Sequence, residues 1–395
     1  MILQLSLKPP FPKVDGGCVA IASMTESLLF AGHEVKLLTM ETDKHPFAQN
    51  KFPKDIAEAT AVESVFIDTR IKPLDALLNL FSSKSYNIER FYSKSFESRI
   101  EHILDEYQFD VIHLESIFCA PYLSTIRKKS KGKVVIRTHN VEFEIWEQLA
   151  SNEKNPLKKL YLKLLAKRLK QYEVQVLNEV DGLIPITATD ASQFSSFAIK
   201  TPMEVVPIGL NVAETETSQL DNQLSLYHLG AMDWAPNIEG VEWFLDEVWP
   251  KIEQEIPEAS LNLAGRKMPN SFISRSRGKL EVQGEVPDAS GFISNRNIAI
   301  IPIRSGSGMR VKIVEALAHG KVVITTNLGA SGINYTDGQN ILIANTADEF
   351  VSKIKALKDN PPLISSIGNE ARELAKRDHD LGNLSSKLTY FYGKL

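Results

Sequence analysis

Residues 301–332 read IPIRSGSGMRVKIVEALAHGKVVITTNLGASG, and the fold is decided by how this stretch is read. The apolar run 298–303 that leads into it has the length of a buried strand. Gly306 and Gly308 then flank Ser307 in a tight turn. Val311, Val314, Leu317 and Ala318 recur at steps of three and four, the period of a helix with one apolar face. Gly320 suits the left-handed position just past a helix end, and Val322, Val323 and Ile324 open another strand. A glycine turn that feeds a helix start favours an anion, because unpaired backbone N–H groups and the helix dipole point the same way. Arg310 and Lys312 stand at that helix start, with Glu315 one turn further on. At about 100° per residue, Gly308, Lys312 and Glu315 fall within roughly 60° of one another around the helix axis.

Outward from this stretch the same alternation fills the chain. Strand-like segments at 2–5, 34–38, 61–67, 110–115, 133–137, 181–186 and 203–206 precede a polar run at 214–223, and others follow at 226–230, 261–265, 280–282 and 340–343. Helical patterns lie between them, which predicts parallel sheets covered on both faces. A chain of 395 residues is too long for one ordinary core, so the polar run reads as a linker between two domains. A helix from Asn237 is expected to end near Pro250. Residues 154–170 contain no acid and place Leu157, Leu160, Tyr161, Leu164, Leu165 and Leu169 on one helical face. Such a helix either lies on an anionic membrane surface or packs an ordinary core stripe under a solvated basic face.

Composition narrows the function. With 43% hydrophobic and 24% charged residues the chain is of the soluble globular class. A net charge of −4 gives no reason to expect nucleic acid. Two cysteines, Cys18 and Cys119, cannot make a disulfide framework and point to a reducing compartment. No basic n-region and no long apolar segment occur, so the expected place is the cytoplasm, or its membrane face if the basic helix docks there. The one D-x-D string, Asp378-His379-Asp380, reads as a polar helix junction, and no Cys/His cluster has zinc spacing, so no metal is expected. Gly16-Gly17 after the first strand lets backbone approach a ligand, but without G-x-G-x-x-G it does not predict a nicotinamide cofactor. His113, Glu115, His139 and Glu142 fall at or just past strand ends, where open α/β sheets bind ligands, with His113 read as a structural hydrogen-bonder.

Taken together these residues resemble the group 1 (family 4) retaining glycosyltransferases, over nearly the whole chain. The resemblance rests on Gly16-Gly17, Arg137-Thr138-His139-Asn140, Val206-Pro207-Ile208-Gly209-Leu210-Asn211, Gly230 to Asn237, and Gly306 to Lys312 followed by Glu315-Ala316-Leu317-Ala318-His319-Gly320. Glu315 matches the second glutamate of the family's two-glutamate motif; the first falls on Ser307, as in a sub-branch with serine there. The resemblance implies the GT-B fold: two doubly wound Rossmann-like domains facing across a cleft. These are an acceptor-binding domain at 1–207, a hinge at 208–223, a nucleotide-sugar domain at 224–377, and a C-terminal helix at 378–395 that packs back on the first domain. It implies transfer of a sugar from a nucleoside diphosphate sugar to a glycan or lipid-linked acceptor, without a cofactor or metal. Glu315 would accept from the ribose hydroxyls, Arg310 and Lys312 would hold the diphosphate, and His139 would meet the donor sugar. Gly16, Gly17, Gly209, Ser307, Gly308, Met309, Glu285 and Val286 would line the donor site. Two other readings stand beside it, a GT-B sugar-nucleotide epimerase and a non-catalytic binding subunit of a glycan assembly complex.

Overall fold

The structure is a computed structural model that describes residues 1–215, 223–306 and 308–395. The chain divides into two compact units, Met1–Gly209 with Leu384–Leu395, and Leu210–Asn383.

In the first unit six parallel strands run β1 (Ile2–Ser6), β2 (Val35–Glu41), β3 (Glu63–Phe66), β4 (Val111–Glu115), β5 (Lys133–Thr138) and β6 (Gly182–Pro185), in the order β3-β2-β1-β4-β5-β6. Helices cover both faces, so β1 and β4 are buried along their whole length, which is why the sequence shows apolar runs rather than alternation. The order reverses between β1 and β4, the place where such sheets open a crevice at their carboxyl ends. Register sets Gln4 beside His113, and Glu115 beside both Ser6 and Arg137. One face of the sheet packs Leu3, Leu5, Phe96, Leu114, Tyr122 and Ile136. On the other, Ile2, Met24, Val135 and Ile184 pack with Leu384, Leu388 and Phe391 of the helix Leu381–Tyr392.

The second unit repeats the plan. Its strands are β7 (Ser225–Leu229), β8 (Ser260–Ala264), β9 (Leu280–Gly284), β10 (Ile298–Ile301), β11 (Val322–Thr325) and β12 (Leu342–Ile343), in the order β12-β11-β10-β7-β8-β9. All pairings are parallel, and the reversal lies between β7 and β10. Leu226, Leu261, Leu263, Ile300 and Ile324 pack with Phe244, Trp249 and Phe350 to form its core.

Two local expectations change. Residues 203–206 are not a regular strand, although the segment runs beside β6 through the bridge Leu183–Met203 and the backbone bonds Leu183 N to Pro202 O (2.9 Å), Glu204 N to Leu183 O (3.1 Å) and Val206 N to Pro185 O (3.0 Å). The helix Ala235–Trp243 does not end at Pro250. It passes through a π turn, Phe244–Val248, into the helix Trp249–Glu255, where Pro250 occupies the first turn and needs no N–H partner. Much of the expected linker, 216–222, lies outside the described residues. Residues just before it belong to the second unit, where Arg372 donates to Val212 O at 3.0 Å and Thr215 O at 3.3 Å. Among the described residues no helix is long and apolar enough to cross a membrane.

Candidate functional site

The strand ends flanking the reversal in the second sheet gather its polar residues. β10 delivers the chain to the glycine turn, and the helix Val311–Ala318 leaves it. Gly306 has φ +89° and Gly308 φ +82°, a backbone region that side chains with a Cβ rarely adopt. Arg310, only 4% exposed, donates from Nη2 to Gly306 O at 3.0 Å and from Nη1 to Gly308 O at 2.5 Å, and its guanidinium lies over the Trp234 ring. The predicted anion-binding arginine is thus wrapped by the turn and braces it. Burial lowers its pKa to about 10. Met309 is buried beside it, Gly308 is half-buried, and Ser307 lies outside the described residues.

Lys312 is placed differently. Its ammonium donates to Asn237 Oδ1 at 2.7 Å and reaches His228 Nε2 at 3.4 Å. His228 Nδ1 donates to Ile300 O at 2.8 Å, which leaves Nε2 as an acceptor, and Asn237 Nδ2 donates to Ala231 O at 2.8 Å, which fixes Oδ1 toward the lysine. A Cβ on Gly230 would overlap Lys312 Nζ and crowd His228 and Asn237, so glycine there makes room for the tether. Both tethers are neutral: burial and the Lys312 charge hold His228 well below its ordinary pKa. Burial lowers Lys312 to about 7, with Glu315 opposing the shift and Arg310 adding to it. Glu315, half-buried, is close enough to help raise the buried Tyr227 hydroxyl, whose shift comes first from desolvation. Of the expected common face, Lys312 and Glu315 lie near His228 and Tyr227 of β7, while Gly308 stands before the helix with φ +82° and is not part of its face; Ile313, Val314 and Leu317 turn into the core.

Two more glycines shape this rim. Gly265 after β8 has φ +157°, and a Cβ there would overlap the Gly230 carbonyl. Gly265 N donates to Gly284 O at 2.7 Å. Glu285 and Val286 follow β9, exposed and half-buried respectively. His228, Asn237 and Trp234 carry no sequence signal that marks them as site residues. Trp234 and Asn237 lay inside the matched string 230–237 without a charge to draw notice, and a histidine inside a buried strand reads as a core residue.

In the first unit, Glu115 at the end of β4 is fully buried with Gln4, His113 and Arg137. Its Oε2 accepts from His139 Nε2 at 3.1 Å and lies 3.5 Å from Arg137 Nη1, and its Oε1 accepts from Gln4 Nε2 at 3.0 Å. His113 Nε2 lies 3.1 Å from Oε1, and its Nδ1 lies 2.6 Å from the Tyr392 hydroxyl. Burial alone would raise the Glu115 carboxyl; Arg137, His113 and His139 outweigh it and hold it well below the carboxylate range. Burial lowers His139, so a neutral ring donates from Nε2 and keeps Nδ1 as an acceptor. His113 is a structural hydrogen-bonder here, as expected.

Gly16 and Gly17 open the helix Gly16–Phe30. The cap is Asp15, whose Oδ1 accepts from Cys18 N at 2.9 Å, while Lys8 Nζ and His45 Nε2 lie 2.7 and 2.8 Å from the carboxylate. A Cβ on Gly17 would crowd Lys8 Nζ. Gly209 N donates to Ser23 Oγ at 2.6 Å. Asp15, Cys18 and His45 are the one group of three candidate metal ligands among the described residues, within 4.8 Å of one another. The Lys8 ammonium already supplies the positive charge that a metal would bring to Asp15.

Comparison with known proteins follows the same division. Residues 14–214 match the sequence model of Glycosyltransferase Family 4, and residues 223–360 that of Glycosyl transferases group 1. An uncharacterized 44.6 kDa protein in the cps region of Klebsiella pneumoniae is 21% identical over 398 residues, 98% of each chain. An uncharacterized glycosyltransferase of Methanocaldococcus jannaschii is 28% identical over 116 residues, 28% of this chain and 33% of that one. Among solved structures, Anabaena HepE in complex with UDP superposes with a TM-score of 0.67 at 14% identity, covering 100% of both chains. Sucrose-phosphate synthase from Thermosynechococcus elongatus does so with a TM-score of 0.70 at 14% identity, covering 100% of this chain and 98% of that one. At these identities the likeness shows the fold, and that fold is GT-B.

Proposed function

We propose that this chain, which belongs to the Family 4 (group 1) glycosyltransferases, moves a sugar from a nucleoside diphosphate sugar to a glycan or lipid-linked acceptor with retention of anomeric configuration. The observation that carries the donor assignment is the Lys312 ammonium, held beside the glycine turn by two neutral acceptors, Asn237 Oδ1 and His228 Nε2. Buried among neutral partners the lysine titrates near 7, and a bound anion draws it to the charged form. The leaving group is a diphosphate, so negative charge grows on its oxygens as the glycosidic bond breaks, and fixed donors meet that charge. We assign this role to Lys312, the backbone N–H groups near Gly308 and Met309, and the dipole of the helix Val311–Ala318. Arg310 holds the turn in shape and adds its field. No metal takes part in this scheme.

Glu315 accepts from the ribose hydroxyls, and Glu285 and Val286 border the base. In the first unit, His139 accepts from a sugar hydroxyl through Nδ1, with Glu115 fixing its ring. Relatives support the reading: HepE is recorded in complex with UDP and with UDP-glucose, and the Klebsiella relative is named for a cps region. We therefore place the reaction in polysaccharide or glycolipid assembly, in the cytoplasm at the inner membrane face, with residues 154–170 as the membrane contact.

The test is transfer from a panel of nucleotide sugars to a glycan acceptor, with the product anomer read by NMR. Glu315→Ala and Lys312→Ala should each lose transfer while keeping the fold. Inversion at the anomeric carbon, or unchanged turnover in both variants, would sink the mechanism. Conversion of the donor without acceptor would instead point to an epimerase.

A further inference from the structure

We propose that the first unit docks on an anionic lipid surface through two ridges together, the first turns of the helix Pro156–Glu179 and a second, apolar ridge formed by Leu74, Leu78 and Phe81. The proposal deepens the membrane contact assigned above and adds an element that the basic helix alone does not contain.

The second ridge is built outward. Leu74 and Leu78 lie four residues apart on the helix Pro73–Asn79, on one face, and are 75% and 68% exposed; Phe81 just beyond is 89% exposed. Both ends of this short helix are nevertheless anchored by polar bonds. At its start the Tyr86 hydroxyl accepts from Lys72 N at 2.9 Å and donates to Lys72 O at 3.2 Å. At its end Arg168 donates from Nη1 to Asn79 O at 2.8 Å and Asn79 Oδ1 at 3.0 Å, and from Nη2 to Leu80 O at 3.1 Å. A helix tied down at both ends by hydrogen bonds while its leucines face water is oriented for something other than its own core.

Arg168 belongs to the helix Pro156–Glu179, so the two ridges share one support. That helix also shows apolar side chains to solvent. Leu165 and Leu169 are buried, as a core stripe requires, yet Leu157 and Leu160 on the same stripe are 80% and 67% exposed. Only the C-terminal part of the predicted apolar face reaches the core.

Charge selects the occupant. No acid occurs between Lys154 and Tyr172, whereas Lys158, Lys159, Lys163 and Lys167 do, in a chain of net charge −4. The exposed pair of Lys158 with Glu153 at 2.6 Å offsets one of them. Lysines beside exposed leucines and a phenylalanine form the pattern of a helix lying in the interface of an anionic bilayer. A second copy of this chain would bring the same positive face, and like charges would oppose each other.

The test uses the full chain, co-sedimented with phosphatidylglycerol-containing and with pure phosphatidylcholine vesicles. Wild type should sediment with the anionic vesicles and be released by salt. L74S/L78S/F81S should lose that sedimentation with an unchanged melting temperature, since all three side chains are exposed. K158E/K159E should lose it too. Sedimentation of L74S/L78S/F81S at the wild-type level would overturn the second ridge, and absence of wild-type binding to either vesicle would overturn both. A concentration-dependent dimer abolished by L74S/L78S/F81S, without vesicle binding, would assign the face to a second copy and overturn the lipid. Nucleotide-sugar binding, followed by thermal shift in the same samples, reports on the transferase reading separately and should not change in any of these variants.

Discussion

Lys312 and Asn237 make the sharpest claim about the proposed donor site. The lysine titrates near 7 because it is buried against neutral partners, and an anion should restore its charge. Affinity for a nucleoside diphosphate sugar, whose diphosphate does not titrate in this range, should therefore rise as pH falls from about 8.5 to about 6.5. Isothermal titration across that range checks the sign. Asn237→Asp would place a carboxylate on the ammonium, raise its pKa and neutralise its field. We expect affinity to drop about tenfold or more and the pH dependence to flatten, the size of one lost charge-assisted hydrogen bond. An Asn237→Asp protein that bound like wild type would remove Lys312 from the diphosphate. Lys312 was legible in the sequence because charge beside a glycine turn is conspicuous. Its tether was not, because His228 and Asn237 come from a strand and a helix far along the chain, and only the pairing of β7 with β10 brings Ile300 O to His228.

At the scale of elements, the helices Glu142–Asn152 and Pro156–Glu179 are joined through a buried acid. Glu173 accepts from Glu142 N at 3.2 Å and Phe143 N at 3.1 Å, capping the first helix from the second. Burial and the Glu142 charge raise Glu173 to about 8, and burial raises Glu142 to about 7. A raised carboxyl holds its proton in the fold, so its contribution is complete below the ordinary value of 4.5 and is lost as pH climbs through 7 to 8. Stability, and with it the melting temperature, should fall between about pH 5 and pH 8.5, and Glu173→Gln should reduce that loss by on the order of 3 kcal/mol. Differential scanning calorimetry at the two pH values decides. A second element-level prediction concerns Gly265, whose Cβ would strike the Gly230 carbonyl; Gly265→Ala should cost about 2 kcal/mol or more and weaken nucleotide binding with it. Strands and the glycine turn were legible from apolar runs and punctuation. The π turn before Pro250 and the outward leucines at 74, 157 and 160 were not, because periodicity states which residues share a face and says nothing of what that face meets.

For the whole molecule, family and fold were readable from motif order along the chain, and the matches at 14–214 and 223–360 fall on either side of the polar run. What no motif order could show is the identity of the sugar, since pocket shape chooses it. A thermal-shift screen of UDP-, GDP-, ADP- and dTDP-sugars should single out one base, because binding to the native state alone raises the melting temperature. Deleting residues 384–395 should abolish folding of the first unit. Leu384, Leu388 and Phe391 are almost wholly buried against Ile2, Met24, Val135 and Ile184, and at about 2 kcal/mol each their loss rivals the stability of an ordinary domain. Limited proteolysis would then cut the first unit freely.

That same discontinuity of the first unit has a consequence for how the chain is made. Residues 1–209 leave the ribosome long before 384–391 exist, so one side of the β1–β6 sheet waits uncovered while the entire second unit is translated. During that interval Ile2, Met24, Val135 and Ile184 form an apolar face open to chaperones and to aggregation, until Leu384, Leu388 and Phe391 arrive to cover it.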